Sequence, residues 1–220
     1  NKGYDFLIVV AAGNANSNDK NITVDAQYAS EFLYIKDFRI RSRIIGVGSL
    51  KSPDFNSTNH NYSMSSFSNV GDRVDILAPG RRIYSCAVTG KGYDHNLLYK
   101  DVPDEGVLNY NYCYMQGTSM AAPNVTGILG LGYSVCPIIQ TTRLKGCLTT
   151  NSSDYGLQYN VANAADMITD LKDIFTKMTT SGKDNSSDIF EGNLMGFVVD
   201  QNDIALQNVE ISVLKRYGDN

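Results

Sequence analysis

A serine that could act as a nucleophile lies near the middle of the chain, in Gly117-Thr118-Ser119-Met120-Ala121-Ala122-Pro123. The residues after it are apolar enough to predict a helix, with Ser119 in the first turn. Backbone N–H groups of a first turn have no partner within the helix. Ser119 therefore offers both an attacking oxygen and a donor for a developing oxyanion. Serine and threonine are also common helix N-caps, so a purely structural role remains open for this motif alone.

A carboxamide that could stabilise such an oxyanion follows a buried strand upstream. Phe6–Val10 is short, apolar and β-branched, which predicts a buried parallel strand, and Ala11-Ala12-Gly13-Asn14 comes directly after it. Open α/β sheets place their ligands at the carboxyl ends of such strands. The amide of Asn14 is therefore a candidate donor to a reacting oxygen. The alternative is an ordinary turn asparagine.

Two further segments extend the pattern: Ser66-Phe67-Ser68-Asn69-Val70-Gly71, and Val74–Gly80, which ends in Ala-Pro-Gly. Together with the first two motifs, and in this order, they make residues 4–168 resemble the subtilisin-like serine proteases. Ile44–Ser49 is similar to that family's next buried strand, and Tyr155–Ala165 to its closing segment. The resemblance implies an α/β fold with a mostly parallel sheet and helices on both of its faces.

The resemblance also implies a role for each matching residue. Ser119 would attack the peptide carbonyl, and Asn14 with the Ser119 backbone N–H would form the oxyanion hole. Ala11, Ala12 and Gly13 would line one wall of the primary specificity pocket. The implied activity is that of a serine endopeptidase, which hydrolyses a polypeptide substrate by acyl transfer.

Neither histidine matches the base that such a serine needs. His60 and His95 lie in polar, Asn-rich stretches that predict loops. The family's aspartate and histidine precede the serine, so we expect both in an upstream part of the same chain. On this interpretation the sequence is truncated at its N-terminus and inactive by itself. Two alternatives stay open: a catalytically inactive subtilase-like binding or scaffold domain, and a secreted adhesion protein that depends on its C-terminal segment.

The sequence departs from the family pattern in two ways. Asn124 stands where a histidine usually follows the proline, on a helix that we expect to be buried almost all round. Extra residues around 21–43 and 89–111 are expected to form loops near the site. The second insertion either shapes substrate access or is a surface loop without a role.

Composition argues against several partners. The formal charge of −4 and the scattered basic residues do not favour nucleic acid. The longest apolar runs are shorter than the ~20 residues that span a bilayer. Subtilases often bind calcium, but no compact acidic loop indicates a site, so we assign no metal ligand and no cofactor beyond a possible calcium ion.

Cysteines and glycosylation motifs favour a secreted or secretory-pathway protein. We expect the disulfides Cys86–Cys113 and Cys136–Cys147, with free buried thiols as the alternative. Asn124 is expected to be too buried to carry a glycan. Six sequons permit N-glycosylation: Asn21, Asn56, Asn61, Asn124, Asn151 and Asn185.

The C-terminal third predicts a domain boundary. Apolar residues recur at spacings of three and four from Ala164 to Met178, which predicts an amphipathic helix on the protease body. We place the peptidase domain at 1–178 and a polar linker at 179–188. Within residues 189–220, the segments 196–200 and 209–213 alternate with period two, as in the start of a β-sandwich-like domain that is incomplete here.

Overall fold

The computed structural model describes residues 5–14, 24–51, 62–86 and 112–180. A short 3₁₀ helix occupies Ala26–Tyr28. The strands are β1 (Ile8–Ala11), β2 (Ile44–Lys51), β3 (Ser63–Met64), β4 (Ile76–Pro79), β5 (Ile83–Cys86) and β6 (Tyr112–Met115), and the helices are α1 (Glu31–Tyr34), α2 (Phe38–Arg41), α3 (Thr118–Val135), α4 (Thr141–Thr150) and α5 (Ala164–Thr180).

Strand β2 is the centre of the main sheet. β1 pairs with it in parallel along one edge, from Ile44 to Val47, and the short β3 continues that edge in antiparallel orientation. β4 pairs in parallel along the other edge. β2 is buried from Ile44 to Leu50, as a strand covered on both faces must be. The predicted strand at 44–49 is therefore confirmed, and the sheet is mostly parallel, as predicted.

Two hydrophobic clusters lie on the two faces of this sheet. Successive side chains of a strand point to opposite faces, and Ile44 and Ile45 accordingly belong to different clusters. The first cluster contains Ile45 and side chains from α3, α4 and α5. The second contains Ile44 and the side chain of Leu33 from α1. Helices on both faces agree with the predicted α/β architecture.

Helix α3 carries the serine motif and differs from the prediction. One face is buried, with residues spaced by three and four that include Ala121, Val125 and Leu129. The opposite face is exposed: Leu131 is 49 % exposed, and a Cβ added to Gly127 or Gly130 would meet nothing within 4 Å. The expectation of a helix buried almost all round is wrong for the described residues, because the sheet and α5 cover only one side.

The predicted amphipathic helix at 164–178 is confirmed as α5. Met167 and Leu171, four residues apart, are fully buried. A Cβ on Gly132 of α3 would lie about 3.0 Å from the side chains of both, so the missing side chain lets α3 approach α5 closely. The chain divides into two units, 1–186 and 187–220. The second unit lies outside the described residues, and the β-sandwich-like domain stays a prediction.

A carboxylate flanked by two cations lies at the amino end of β4. Asp75 accepts hydrogen bonds from Arg41 Nη2 (2.9 Å), the Gly46 backbone N–H (2.7 Å) and Lys145 Nζ (3.1 Å). Arg41 and Lys145 also donate to the Ile44 carbonyl oxygen. All three charged side chains are between 13 % and 16 % exposed. Burial lowers the pKa of the Lys145 ammonium, and the charge of Asp75 opposes that shift.

A second carboxylate fastens the segment before β1 to α4. The backbone N–H of Thr141 donates to Asp5 Oδ2 (2.9 Å), and its hydroxyl donates to Asp5 Oδ1 (2.5 Å). Arg43 Nη1 donates to the same carboxylate and to the Thr141 hydroxyl. The hydrogen bonds from Thr141, and then those from Arg43, lower the pKa of Asp5 from 3.8 to about 2.

The two predicted disulfides are not formed. Cys136 and Cys147 are free, buried thiols. Burial, and then the neighbouring Asp170 carboxylate that the thiol contacts, raise the pKa of Cys147 to about 11. Cys86 is a free, exposed thiol, and the strand register sets Tyr112 opposite it. The alternative of free buried thiols therefore fits Cys136 and Cys147.

Candidate active site

Asn14 and Thr118 form the polar contact between the end of β1 and the start of α3. The Thr118 backbone N–H donates to Asn14 Oδ1 (2.9 Å), and the Thr118 hydroxyl donates to the same oxygen (3.1 Å). The hydroxyl in turn accepts from the Gly13 N–H (3.1 Å). Two donors on Oδ1 fix the orientation of the carboxamide, so Nδ2 is the end that is left to donate elsewhere.

Gly117 shows that Asn14 and Ser119 lie side by side. A Cβ added to this glycine would be 3.3 Å from Asn14 Nδ2 and 3.7 Å from the Ser119 backbone nitrogen. Both nitrogens therefore border one small space. Gly117 has a φ of 149°, which side chains other than hydrogen rarely allow. Glycine is needed here twice, for its backbone angle and for the open space.

The turn Gly117–Ser119 is hydrogen bonded to Gly80, which directly follows β4. The Gly117 N–H donates to the Gly80 carbonyl oxygen (2.8 Å), and a Cβ on Gly80 would lie 2.7 Å from the Gly117 carbonyl oxygen. Behind Gly80, the hydroxyls of Ser49 and Ser65 are hydrogen bonded to each other (2.8 Å) and buried. The Ala-Pro-Gly motif thus supplies a close backbone support for the turn that carries Ser119.

The predicted substrate wall continues β1. Ala12 is fully buried and donates from its N–H to the Val47 carbonyl oxygen (2.9 Å), which extends the ladder with β2 beyond Ala11. Gly13 has a φ of 91°, and a Cβ there would be 2.6 Å from both Ala29 Cβ and Asn69 Nδ2. The three wall residues thus form a rigid, side-chain-poor edge that leads to Asn14.

Asn69, which is packed against Gly13, is 4 % exposed. Its backbone N–H donates to the Gly13 carbonyl oxygen (2.9 Å). Its side-chain oxygen is the only buried side-chain polar atom without a hydrogen-bond partner in the part of the chain that the structure describes. No sequence argument singled out this position.

Ser119 itself is exposed, as a nucleophile must be to meet a substrate. His60 and His95 lie outside the described residues. Within the ranges that the structure covers, no group of three His, Cys, Asp or Glu side chains could hold a metal ion. None of the described helices is both long enough and apolar enough to cross a membrane. The 89–111 insertion likewise falls outside these ranges.

Thr118 is the residue that sequence reasoning missed. It directly precedes Ser119 in the motif, and the sequence pattern alone gives it no role beyond the start of a helix. Its backbone N–H and its hydroxyl both donate to Asn14 Oδ1, although the two residues are 104 positions apart in the chain. A threonine or serine between a glycine and a candidate nucleophile is the signal that could have indicated this contact.

A mostly parallel α/β sheet with an asparagine at one strand end and a serine at the start of a helix is the arrangement expected of a subtilisin-like protein. A family model described as "Subtilase family" matches residues 1–190. The chain therefore belongs to the subtilase family of serine proteases, as the sequence motifs predicted.

Individual relatives agree. Over 153 residues the chain is 27 % identical to Subtilisin DY of Bacillus licheniformis, which covers 69 % of this chain and 41 % of that protein. It is 32 % identical over 135 residues to Subtilisin-like protease 2 of Plasmodium falciparum, covering 61 % of this chain and 7 % of the relative. Fervidolysin from Fervidobacterium pennivorans shares the fold with a TM-score of 0.52 at 24 % identity, over 74 % of this chain and 22 % of that one. The chain thus spans less than half the length of these relatives.

Proposed function

We propose that this chain supplies the nucleophile and the oxyanion hole of a serine endopeptidase. One observation carries the proposal: Asn14 Nδ2 and the Ser119 backbone nitrogen both lie within 3.7 Å of one point beside Gly117. Two N–H donors that converge on a space next to a serine hydroxyl are what a tetrahedral oxyanion requires. The family supports the same reaction class.

The steps follow from these positions. The Ser119 hydroxyl oxygen attacks the carbonyl carbon of a peptide bond, and a base takes the hydroxyl proton. The negative carbonyl oxygen accepts hydrogen bonds from Asn14 and from the Ser119 N–H. When the intermediate collapses, the base returns the proton to the leaving amine and an acyl-serine remains. Water then repeats the same steps to release the acid.

The base would come from an upstream part of the same chain that carries an aspartate and a histidine. Three observations support this arrangement. Ser119 is exposed, and so is the face of α3 that carries Gly127 and Leu131. The edge of β1 that faces away from β2 has no strand beside it among the described residues. These surfaces offer room for additional sheet and helix next to the nucleophile.

The proposed substrate is an extended polypeptide, which would lie against the wall Ala11–Gly13. A secretory location is supported by a relative named "Halolysin-like extracellular serine protease Nep" of Natrialba magadii. Another relative, of Bacillus subtilis, is named "Major intracellular serine protease". The proposed location therefore needs its own test, by fractionating cells and medium and detecting the chain with an antibody.

A fluorophosphonate probe tests the proposed function. Applied to the full-length protein, it should add its mass to the peptide that contains Ser119, and Ser119→Ala should abolish the label. Circular dichroism of both proteins would show that each is folded. Folded wild-type protein that takes up no label would overturn the proposal and favour a catalytically inactive subtilase domain.

A further inference from the structure

We propose that Asn124 is a positioning residue for the nucleophile. This inference rests on the proposed function above. The side chain of Asn124 ties the first turns of α3 to the end of β4, and both attachment points lead to the Gly117–Ser119 turn. The two hydrogen bonds of Asn124 go to backbone carbonyl oxygens, so it acts through the backbone that holds Ser119.

Helix α3 needs such a tie because its hydrogen-bond ladder is interrupted at the nucleophile. Pro123 lies inside the helix and has no N–H. In a regular helix the N–H of residue 123 would bond to the carbonyl oxygen of Ser119, four residues earlier. That bond is absent, so the turn that carries the serine is held by one fewer backbone hydrogen bond than its neighbours.

The carboxamide of the next residue adds two other bonds to this part of the helix. Asn124 Nδ2 donates to the Met120 carbonyl oxygen (3.0 Å), within the helix, and to the Pro79 carbonyl oxygen (2.8 Å), at the end of β4. Both hydrogens of one NH₂ group are thereby used. This is a local bond and a long-range bond from the same side chain.

Each of the two bonds is connected to Gly117 through one further backbone hydrogen bond. Within the helix, the Met120 N–H donates to the Gly117 carbonyl oxygen (3.0 Å). On the strand side, Pro79 precedes Gly80, whose carbonyl oxygen accepts from the Gly117 N–H (2.8 Å). Asn124 therefore closes a ring of hydrogen bonds around the turn, and the position of Ser119 relative to Asn14 depends on that ring.

Exposure is consistent with this role and contradicts the expectation that residue 124 is buried. Asn124 is exposed among the described residues, so it does not fill the core. It also belongs to the sequon Asn124-Val125-Thr126. A glycan would be attached to Nδ2, the atom that makes both bonds, so glycosylation of Asn124 would break the ring.

The chain provides a matched control in Thr126. Its hydroxyl donates to the Ala122 carbonyl oxygen (3.1 Å), four residues earlier in the same exposed part of α3. It makes no bond to β4. Asn124→Ala and Thr126→Ala each remove one exposed side-chain tie within α3, and each destroys the same sequon. A difference between them therefore reports the bond to Pro79 and not the loss of a glycan.

Two readouts in the full-length protein test the proposal. The first is hydrogen–deuterium exchange at the backbone amides of Gly117 and Thr118. We expect exchange there to be about tenfold faster in Asn124→Ala and in Asn124→Asp, whose carboxylate has no hydrogen to donate. Thr126→Ala should exchange like the wild type. Unchanged exchange in β2 would show that each variant is folded.

The second readout is the labelling of Ser119 by a fluorophosphonate at several probe concentrations. We expect the maximal rate to fall about tenfold in Asn124→Ala while the half-saturating concentration stays constant, because the turn moves but the substrate wall does not. Asn124→His, which restores a ring N–H, should recover part of the rate.

The outcomes separate this inference from the proposed function. Exchange at Gly117 and labelling of Ser119 that are the same in Asn124→Ala and Thr126→Ala would overturn the positioning role. Wild-type protein that is never labelled would overturn the proposed function. The exchange data would still decide whether Asn124 holds the turn in that case.

Discussion

The two ends of the parallel strands are built from different chemistry. At the amino ends, Asp5 and Asp75 are paired with the cations Arg43, Arg41 and Lys145. At the carboxyl ends, Gly13, Gly80 and Gly117 let neighbouring segments approach closely around Asn14 and Ser119, because a side chain at any of them would crowd its neighbours. The first end is fixed by charged side chains that cross-link elements, and the second by close backbone approach.

This difference predicts that residues at the amino ends affect the stability of the fold and residues at the carboxyl ends affect the candidate site. The ion pairs of Asp5 and Asp75 connect the starts of β2, β4 and α4, and none of these pairs includes a residue of the site. Their loss should therefore lower the free energy of unfolding. At the glycine-lined end, Asn14 Nδ2 and the Ser119 backbone N–H have no hydrogen-bond partner among the described residues, which is what the proposed site requires. Substitutions at the two ends should therefore change different measurements, and four predictions test that division, beginning with the largest effect.

On the proposed function, Asn14→Ala should reduce turnover of the full-length protein by about 10²–10³-fold, the cost of losing one oxyanion donor in subtilisin, a relative within the same family. The free energy of unfolding should fall by about 2 kcal/mol, since the buried Thr118 loses the acceptor of its backbone N–H and of its hydroxyl, at about 1 kcal/mol each. Steady-state kinetics and urea unfolding measure the two quantities. A large loss of stability with full turnover would contradict the assignment of the site to the carboxyl ends of the strands.

Asp75→Asn should give the opposite result. Two cations that are only 13–15 % exposed would lose their shared counter-charge, at a cost of about 3 kcal/mol in the free energy of unfolding. Turnover by the folded fraction should stay within about twofold. Urea unfolding, with kinetics on the same samples, checks both.

Lys145→Met sharpens this second prediction. It removes the cation whose burial lowers its pKa and leaves the Arg41–Asp75 pair intact, so the loss of stability should be smaller than for Asp75→Asn. Equal losses would mean that the carboxylate is not what holds the cluster together.

Asp5 gives the smallest effect and a dependence on pH. Its pKa is lowered to about 2 in the folded protein, so the carboxylate contributes stability above pH 4 and loses it as the pH falls from about 4 to 2. The side chain is 43 % exposed, which limits the contribution to about 1 kcal/mol. Asp5→Asn should therefore differ from the wild type in thermal unfolding at pH 6, and the two should converge at pH 2.

Local motifs account for what the sequence predicted correctly. Ile44–Ser49 is apolar and bounded by polar residues, so its strand could be recognised from composition alone. The positions of Asn14 after a strand and of Ser119 in the first turn of a helix also follow from their motifs. Their catalytic roles remain proposals. α5 was recognised from the spacing of its apolar residues.

Contacts between distant segments account for the rest. Asp75, Arg41 and Lys145 share no motif, and only the packing of α4 near the start of β2 brings them together. The exposed face of α3 could not be foreseen, because its apolar sequence is compatible with cover on every side. Cys136 and Cys147 suggested a disulfide by number and compartment, neither of which specifies geometry.

The two bonds from Thr118 to Asn14 have a consequence for electrostatics. They hold the carbonyl end of the amide dipole toward Thr118, so the positive end is directed to the space beside Gly117. The field that would meet a developing negative charge is thus preorganised during folding, and no dipole has to rotate while the reaction proceeds.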